Sequence, residues 1–103
     1  MNLNKLMKQA QKMQEQMAKT QAELEEKTVE VSAAGGKVKV TANGAGDVLS
    51  IKIDKEIVDP NDVDFLEEAV LSGVRSAIEQ GKGLAQSEMT KITGGLSLPG
   101  MGM

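Results

Sequence analysis

The chain predicts an α+β domain in the order helix, strand, strand, strand, helix. Three observations carry this reading. Apolar residues recur at steps of three and four from residue 2 to about 26, the period drops to two from Thr28 to Ile53, and helical spacing returns from about Asp62 to Lys91. A length of 103 residues suits one domain. With 40% hydrophobic residues the core is modest, a shortage that a dimer would ease.

In the first helix Leu3, Leu6, Ala10, Met13, Met17, Thr20 and Leu24 form a heptad seam with one polar member, flanked by Met7, Gln14 and Gln21. Asn2 or Asn4 is placed to cap it. Lys5, Lys12 and Lys19 are seven apart with Lys8 between them, so these cations centre roughly opposite the seam. One face seeks a partner helix and the other presents positive charge.

The middle of the chain reads as a three-stranded antiparallel meander. Val29, Val31 and Ala33 share one strand face, as do Val38, Val40 and Ala42, and then Leu49, Ile51 and Ile53. Gly35-Gly36 predicts a two-residue hairpin turn, and Asn43 to Gly46 ("NGAG") a second turn. The opposite face carries Glu30, Lys37, Lys39, Thr41, Ser50 and Lys52, so one side of the sheet is wet.

"DKEIVDPND" leads into the second helix, with Asp59 or Asn61 as its cap and Pro60 in its first turn. Leu66, Val70, Val74 and Ile78 make an apolar ridge, beside a row of small residues, Ala69, Gly73, Ala77, Gly81 and Ala85, that lets another backbone come close. Phe65, the single aromatic residue, is expected in the core. Gly81 and Gly83 each cost about 1 kcal/mol relative to Ala in a helix interior, so the distal helix is expected to be the weaker part. The domain is read as residues 1–93, with 94–103 as a flexible Gly-rich tail.

Charge is unevenly spread. The net charge is −3 and the pI about 4.9. Residues 1–22 nevertheless carry four lysines against one glutamate, and residues 54–68 seven carboxylates against one lysine. Cysteine and histidine are both absent, which removes thiolate zinc sites, cysteine nucleophiles and the commonest general base. No enzyme activity, cofactor, metal or small-molecule substrate is expected. Met7, Met13 and Met17 suit copper(I) chemically, but at helical spacing they read as packing. The N-terminus lacks an apolar signal core and no run reaches the roughly 18 apolar residues of a membrane span. A soluble cytoplasmic protein without a membrane partner is expected. One aromatic residue offers no stacking platform for single strands, so nucleic-acid binding would rest on duplex phosphates and weaken steeply with salt.

In combination and order, "LMKQAQKMQEQM", "AAGGKVKVTANGAGDVLSIKID", "VDPNDVDFLEEAV" and "MTKITGGLSLPGM" resemble the YbaB/EbfC family of bacterial nucleoid-associated proteins along nearly the whole chain. The resemblance implies an α-β-β-β-α subunit in a tight homodimer with helical arms projecting like tweezers. It also implies binding to double-stranded DNA with little sequence preference, affecting nucleoid organisation and gene expression. DNA contacts carried over on this basis fall on Lys5, Lys8, Lys12 and Lys19, with Arg75, Lys82 and Lys91 as further candidates. Gly73 and Arg75 stand where the family often has Ala or Asn, and Gly81 and Gly83 are unusual in a projecting arm. The alternative reading is a homodimeric interaction module, an adaptor linked to recombination or replication proteins, with weak DNA affinity.

Overall fold

The computed structural model describes residues 2–94; the predicted tail lies outside them beyond Gly94. The order is α1 (Leu3–Glu26), β1 (Thr28–Ala33), β2 (Val38–Asn43), β3 (Val48–Ile53) and α2 (Val63–Gly94), as the alternation of periods predicts. Asn2 caps α1, its side chain accepting from the Lys5 N–H at 3.3 Å.

The three strands form an antiparallel sheet in the order β1-β2-β3. Its register pairs Val31 with Val40, Val40 with Ile51 and Val38 with Ile53, so the predicted inward residues share one face except Leu49, which the register skips. A bulge sits where Ala42 faces Val48. The first connection is longer than the two-residue turn expected. Ala33 pairs with Val38, leaving Ala34 to Lys37 to make the turn, and Ala34, Gly35 and Gly36 all adopt positive φ. Lys37 closes this turn: its N–H donates to the Ala34 carbonyl at 3.3 Å, its carbonyl accepts from the Asp54 N–H at 2.8 Å, and its ammonium pairs with Glu56 at 2.6 Å and Asp54 at 3.5 Å.

α2 lies across β1 and β2, and here the small residues decide the packing. Ala69, Gly73, Ala77 and Gly81 are buried, whereas Leu66, Val70, Val74 and Ile78 are only half-buried. A Cβ added at Gly73 would stand 2.9 Å from Val40 Cγ2, so the helix rests close on the sheet. Val38, Val40, Ala42 and Ala77 reach zero exposure in the resulting core. Gly81, read as a weak point, is buried against the turn between β2 and β3; Gly83 faces open space.

Two expectations at the start of α2 are corrected. Asp59 accepts from the Asn61 N–H at 2.9 Å, which makes a tight turn ahead of the helix. Neither Asp59 nor Asn61 therefore sits at the helix cap, and Pro60 precedes the first turn, because α2 starts at Val63. Phe65 is 47% exposed, not in the core, because α2 turns its small-residue row inward and carries Phe65 on another face.

Because α2 covers β1 and β2, the inner face of β3 is left bare. Ile51 and Ile53 are 42% and 40% exposed in the single subunit, and Leu49 at the bulge is 53% exposed. Beyond the sheet, α2 continues antiparallel beside the C-terminal part of α1. Leu24 is buried there at 3%, Thr20 and Met13 are half-buried, and Leu6 and Leu3 rise to 49% and 68%. The predicted seam is thus a packed seam only near its C-terminal end. The subunit is elongated, 71 × 28 × 16 Å.

Candidate nucleic-acid interface

α1 projects from the body and carries Lys5, Lys8 and Lys12 in its N-terminal half and Lys19 further along, all exposed. Helical spacing puts them on one face. None of the four has an ion-pair partner among the described residues, in contrast with Lys27, Lys37 and Lys91. Lys27 pairs with Glu88 at 3.0 Å, Lys91 with the same carboxylate at 3.5 Å, and Lys37 with two carboxylates.

The charges of α1 also run against its own dipole. Lys5 stands in the first turn, and Glu23, Glu25 and Glu26 stand in the last, offset there only by Lys27 at the C-cap. Such charges cost a few tenths of a kcal/mol each rather than contribute stability, about 0.3–1 kcal/mol at most on an exposed surface. Helix stability therefore does not account for the lysine row. The same geometry adds free N–H groups of the first turn to a positive end, which favours anions.

The further candidates divide. Arg75 sits on α2 over the sheet, on a shallow surface groove lined by Glu68, Leu71, Ser72, Ser76 and Glu79, away from the α1 lysines and among carboxylates. Lys82 is exposed one residue beyond the turn contact at Gly81. Lys91 lies on the part of α2 that runs beside α1, but shares Glu88 with Lys27. The Lys27 ammonium, then burial opposing it, then Lys91, set the Glu88 carboxyl, which lies below its ordinary range. Hydrogen bonding to Glu56 and the nearby Asp54 hold Lys37 above the ordinary lysine range.

Two cations were not singled out from the sequence. Lys39 and Lys52 face each other across the β2–β3 ladder on the wet side of the sheet, and neither makes an ion pair among the described residues. Alternation placed both on that face; only the register makes them partners. Acidic residues gather at the other end of the molecule. Asp59, Asp62, Asp64, Glu67 and Glu68 are exposed where α2 begins, beside the far end of the sheet from α1.

Fold and charge together define a small α+β protein with a cationic helical arm. Comparison with known proteins shows the family and the fold. The profile of the YbaB/EbfC DNA-binding family matches residues 1–96. A nucleoid-associated protein of Clostridium novyi is 52% identical over 101 residues, covering 98% of this chain and 89% of its own length. Another from Moorella thermoacetica is 54% identical over 99 residues, covering 96% and 95%. The crystal structure of an uncharacterized protein from Helicobacter pylori shares the fold, with a TM-score of 0.74 at 16% identity over 84% of this chain and 91% of that one. The chain belongs to the YbaB/EbfC DNA-binding family.

Proposed function

We propose that this protein is a nucleoid-associated factor of the bacterial cytoplasm that works as a homodimer, holding duplex DNA between α1 arms with little sequence preference. Through that grip it affects nucleoid organisation and gene expression. The observation that carries the reading is the row Lys5, Lys8, Lys12 and Lys19, exposed and free of ion pairs among the described residues. Lysines that neutralise phosphates release counterions, and they position a protein without reading bases. The membership of a DNA-binding family supports the ligand, and relatives named nucleoid-associated proteins support the setting.

The bare face of β3 supports the dimer. Ile51 and Ile53 lie on the inner side of an edge strand with Leu49 exposed at its bulge, and on α2 Leu66 and Val70 are only half-buried. Exposed apolar edges invite pairing with another chain. A second copy covering this edge joins two bodies and leaves two arms free.

The test is mass in solution beside duplex binding across a salt series. With all four lysines of both arms seated, log affinity falls against log salt with a slope of about −7. A monomer, or an affinity that does not respond to salt, overturns the mechanism. A second reading has its own observation: Leu3 and Met7 at the arm tip are 68% and 62% exposed, an apolar strip fit for a partner helix. Capture of a protein partner from DNase-treated lysate, with duplex binding confined to very low salt, favours that module.

A further inference from the structure

We infer that a joint made by Asn43, Gly44 and Gly81 sets the direction in which the arm leaves the body, and so sets how many arm lysines one duplex meets. The part concerning DNA rests on the function proposed above; the part concerning direction does not.

Three elements converge at the end of β2: the last turn of α1, the turn into β3, and the middle of α2. Asn43 is the buried polar residue among those described, at 3% exposure. Its amide is divided between two tasks. The Oδ1 atom accepts from the N–H groups of Ala45 at 3.0 Å and Asp47 at 2.9 Å, which closes the turn. The Nδ2 group donates to the Glu25 carbonyl of α1 at 3.2 Å and to Asp47 Oδ2 at 3.4 Å. The next peptide repeats the tie, because the Gly44 N–H points at the carbonyls of Leu24 at 2.9 Å and Lys27 at 3.0 Å.

Both glycines allow contact that a side chain would block. A Cβ at Gly44 would lie 2.6 Å from Leu24 Cδ2. A Cβ at Gly81 would lie 2.4 Å from the Asn43 carbonyl oxygen, a backbone atom with no rotamer to move into. Both helices are therefore referenced to the same two residues of the turn. Gly83 makes the contrast, since nothing lies within 4 Å of a Cβ there. Just past the joint the Lys27–Glu88 ion pair at 3.0 Å links the helices again.

Direction matters because the arm is a lever. From Leu24 to Lys5 the helix spans about 30 Å at 1.5 Å per residue. A swing of about 10° moves Lys5 by about 5 Å, more than the roughly 3.4 Å axial step between phosphates of one strand. Asn43, Gly44 and Gly81 are on this account positioning residues, which touch no DNA themselves.

The chain has no cysteine, so a donor–acceptor dye pair can be placed by Gln9→Cys on the arm and Ser32→Cys on the sheet, both exposed sites. Labelled full-length chains are diluted into unlabelled ones and energy transfer is read without DNA. Duplex binding across a salt series is then measured on the unlabelled forms. Gly81→Ala should shift or broaden the transfer efficiency, lower duplex affinity about tenfold and make the salt slope shallower by about 1.8, the loss of one phosphate contact per arm. Asn43→Asp combined with Asp47→Asn adds no atoms and keeps an acceptor for the turn, yet removes the donor to Glu25. It should act in the same direction, and it decides the matter if Gly81→Ala does not fold. Gly83→Ala should leave transfer and slope unchanged. Folded joint variants with natural transfer efficiency overturn the joint. A shifted arm with an unchanged salt slope overturns its role in binding. A natural protein that binds no duplex defeats the proposed function, while the transfer measurement still decides the joint.

Discussion

The body and the arm are built on opposite terms. In the body, Val38 and Val40 have no exposure, and α2 lies so close that a methyl group at Gly73 would meet Val40. In the arm, Leu3, Leu6 and Met7 are about half exposed or more, and Lys5, Lys8, Lys12 and Lys19 have no ion-pair partner among the described residues. One region spends its residues on packing and the other leaves them facing solvent. The difference teaches that stability and binding are separable here: damage to the body should act through the amount of folded protein, and damage to the arm through its contacts.

The largest break in that comparison comes from Val40→Ala. It removes fully buried methyl groups from a core too small to relax around them, and should lower stability by about 2 kcal/mol, visible as a loss of about 8–16 °C in the melting midpoint for a domain of this size. Affinity per folded molecule and the salt slope should stay as they were. A changed slope with an intact arm would contradict the separation.

A smaller effect in the opposite sense is expected at Gly83. It is an exposed helix position with open space around it, so Gly83→Ala should raise stability by up to about 1 kcal/mol, read in thermal melts. Hydrogen exchange should slow most in the distal half of α2. Stabilisation confined to the sheet would show that body and arm do not open separately.

The smallest effect is pH dependence where the two helices meet. The Glu88 carboxyl is held below its ordinary value of 4.5, chiefly by Lys27. A carboxylate with a lowered folded pKa adds stability above the unfolded value and loses it as pH falls through the folded one. Exchange at the α1–α2 contact should therefore quicken below about pH 4.5, the unperturbed carboxyl range. Glu88→Gln should remove that dependence while leaving the sheet unaffected; an equal acid response in the variant would assign it elsewhere.

The order of elements was legible because period is a backbone property. Leu3 to Leu24 can only be helical at steps of three and four, and Val38, Val40 and Ala42 share a strand face at steps of two. Choices between two neighbouring faces were not legible. On α2 the larger ridge of Leu66, Val70, Val74 and Ile78 is the more hydrophobic, yet the small row faces the sheet, because close approach needs small side chains. That choice also moved Phe65 to the surface. Gly81 and Gly83 look alike in a helical sequence, and only the carbonyl of Asn43 distinguishes them. The site was half legible in the same way. Spacing put Lys5, Lys8, Lys12 and Lys19 on one face, but that Lys27 and Lys91 share Glu88 depends on a contact between helices far apart in the chain.

The central claim is that the arm lysines hold phosphates while the body only places them. It is tested most directly by the salt slope of duplex binding for the natural protein and for Lys5→Ala, Lys8→Ala, Lys12→Ala and Lys19→Ala combined, at matched mass and melting temperature. The account predicts a slope near −7 for the natural dimer and near zero for the variant, at about −0.9 per phosphate contact. Full binding by the variant, with an unchanged slope, would contradict it.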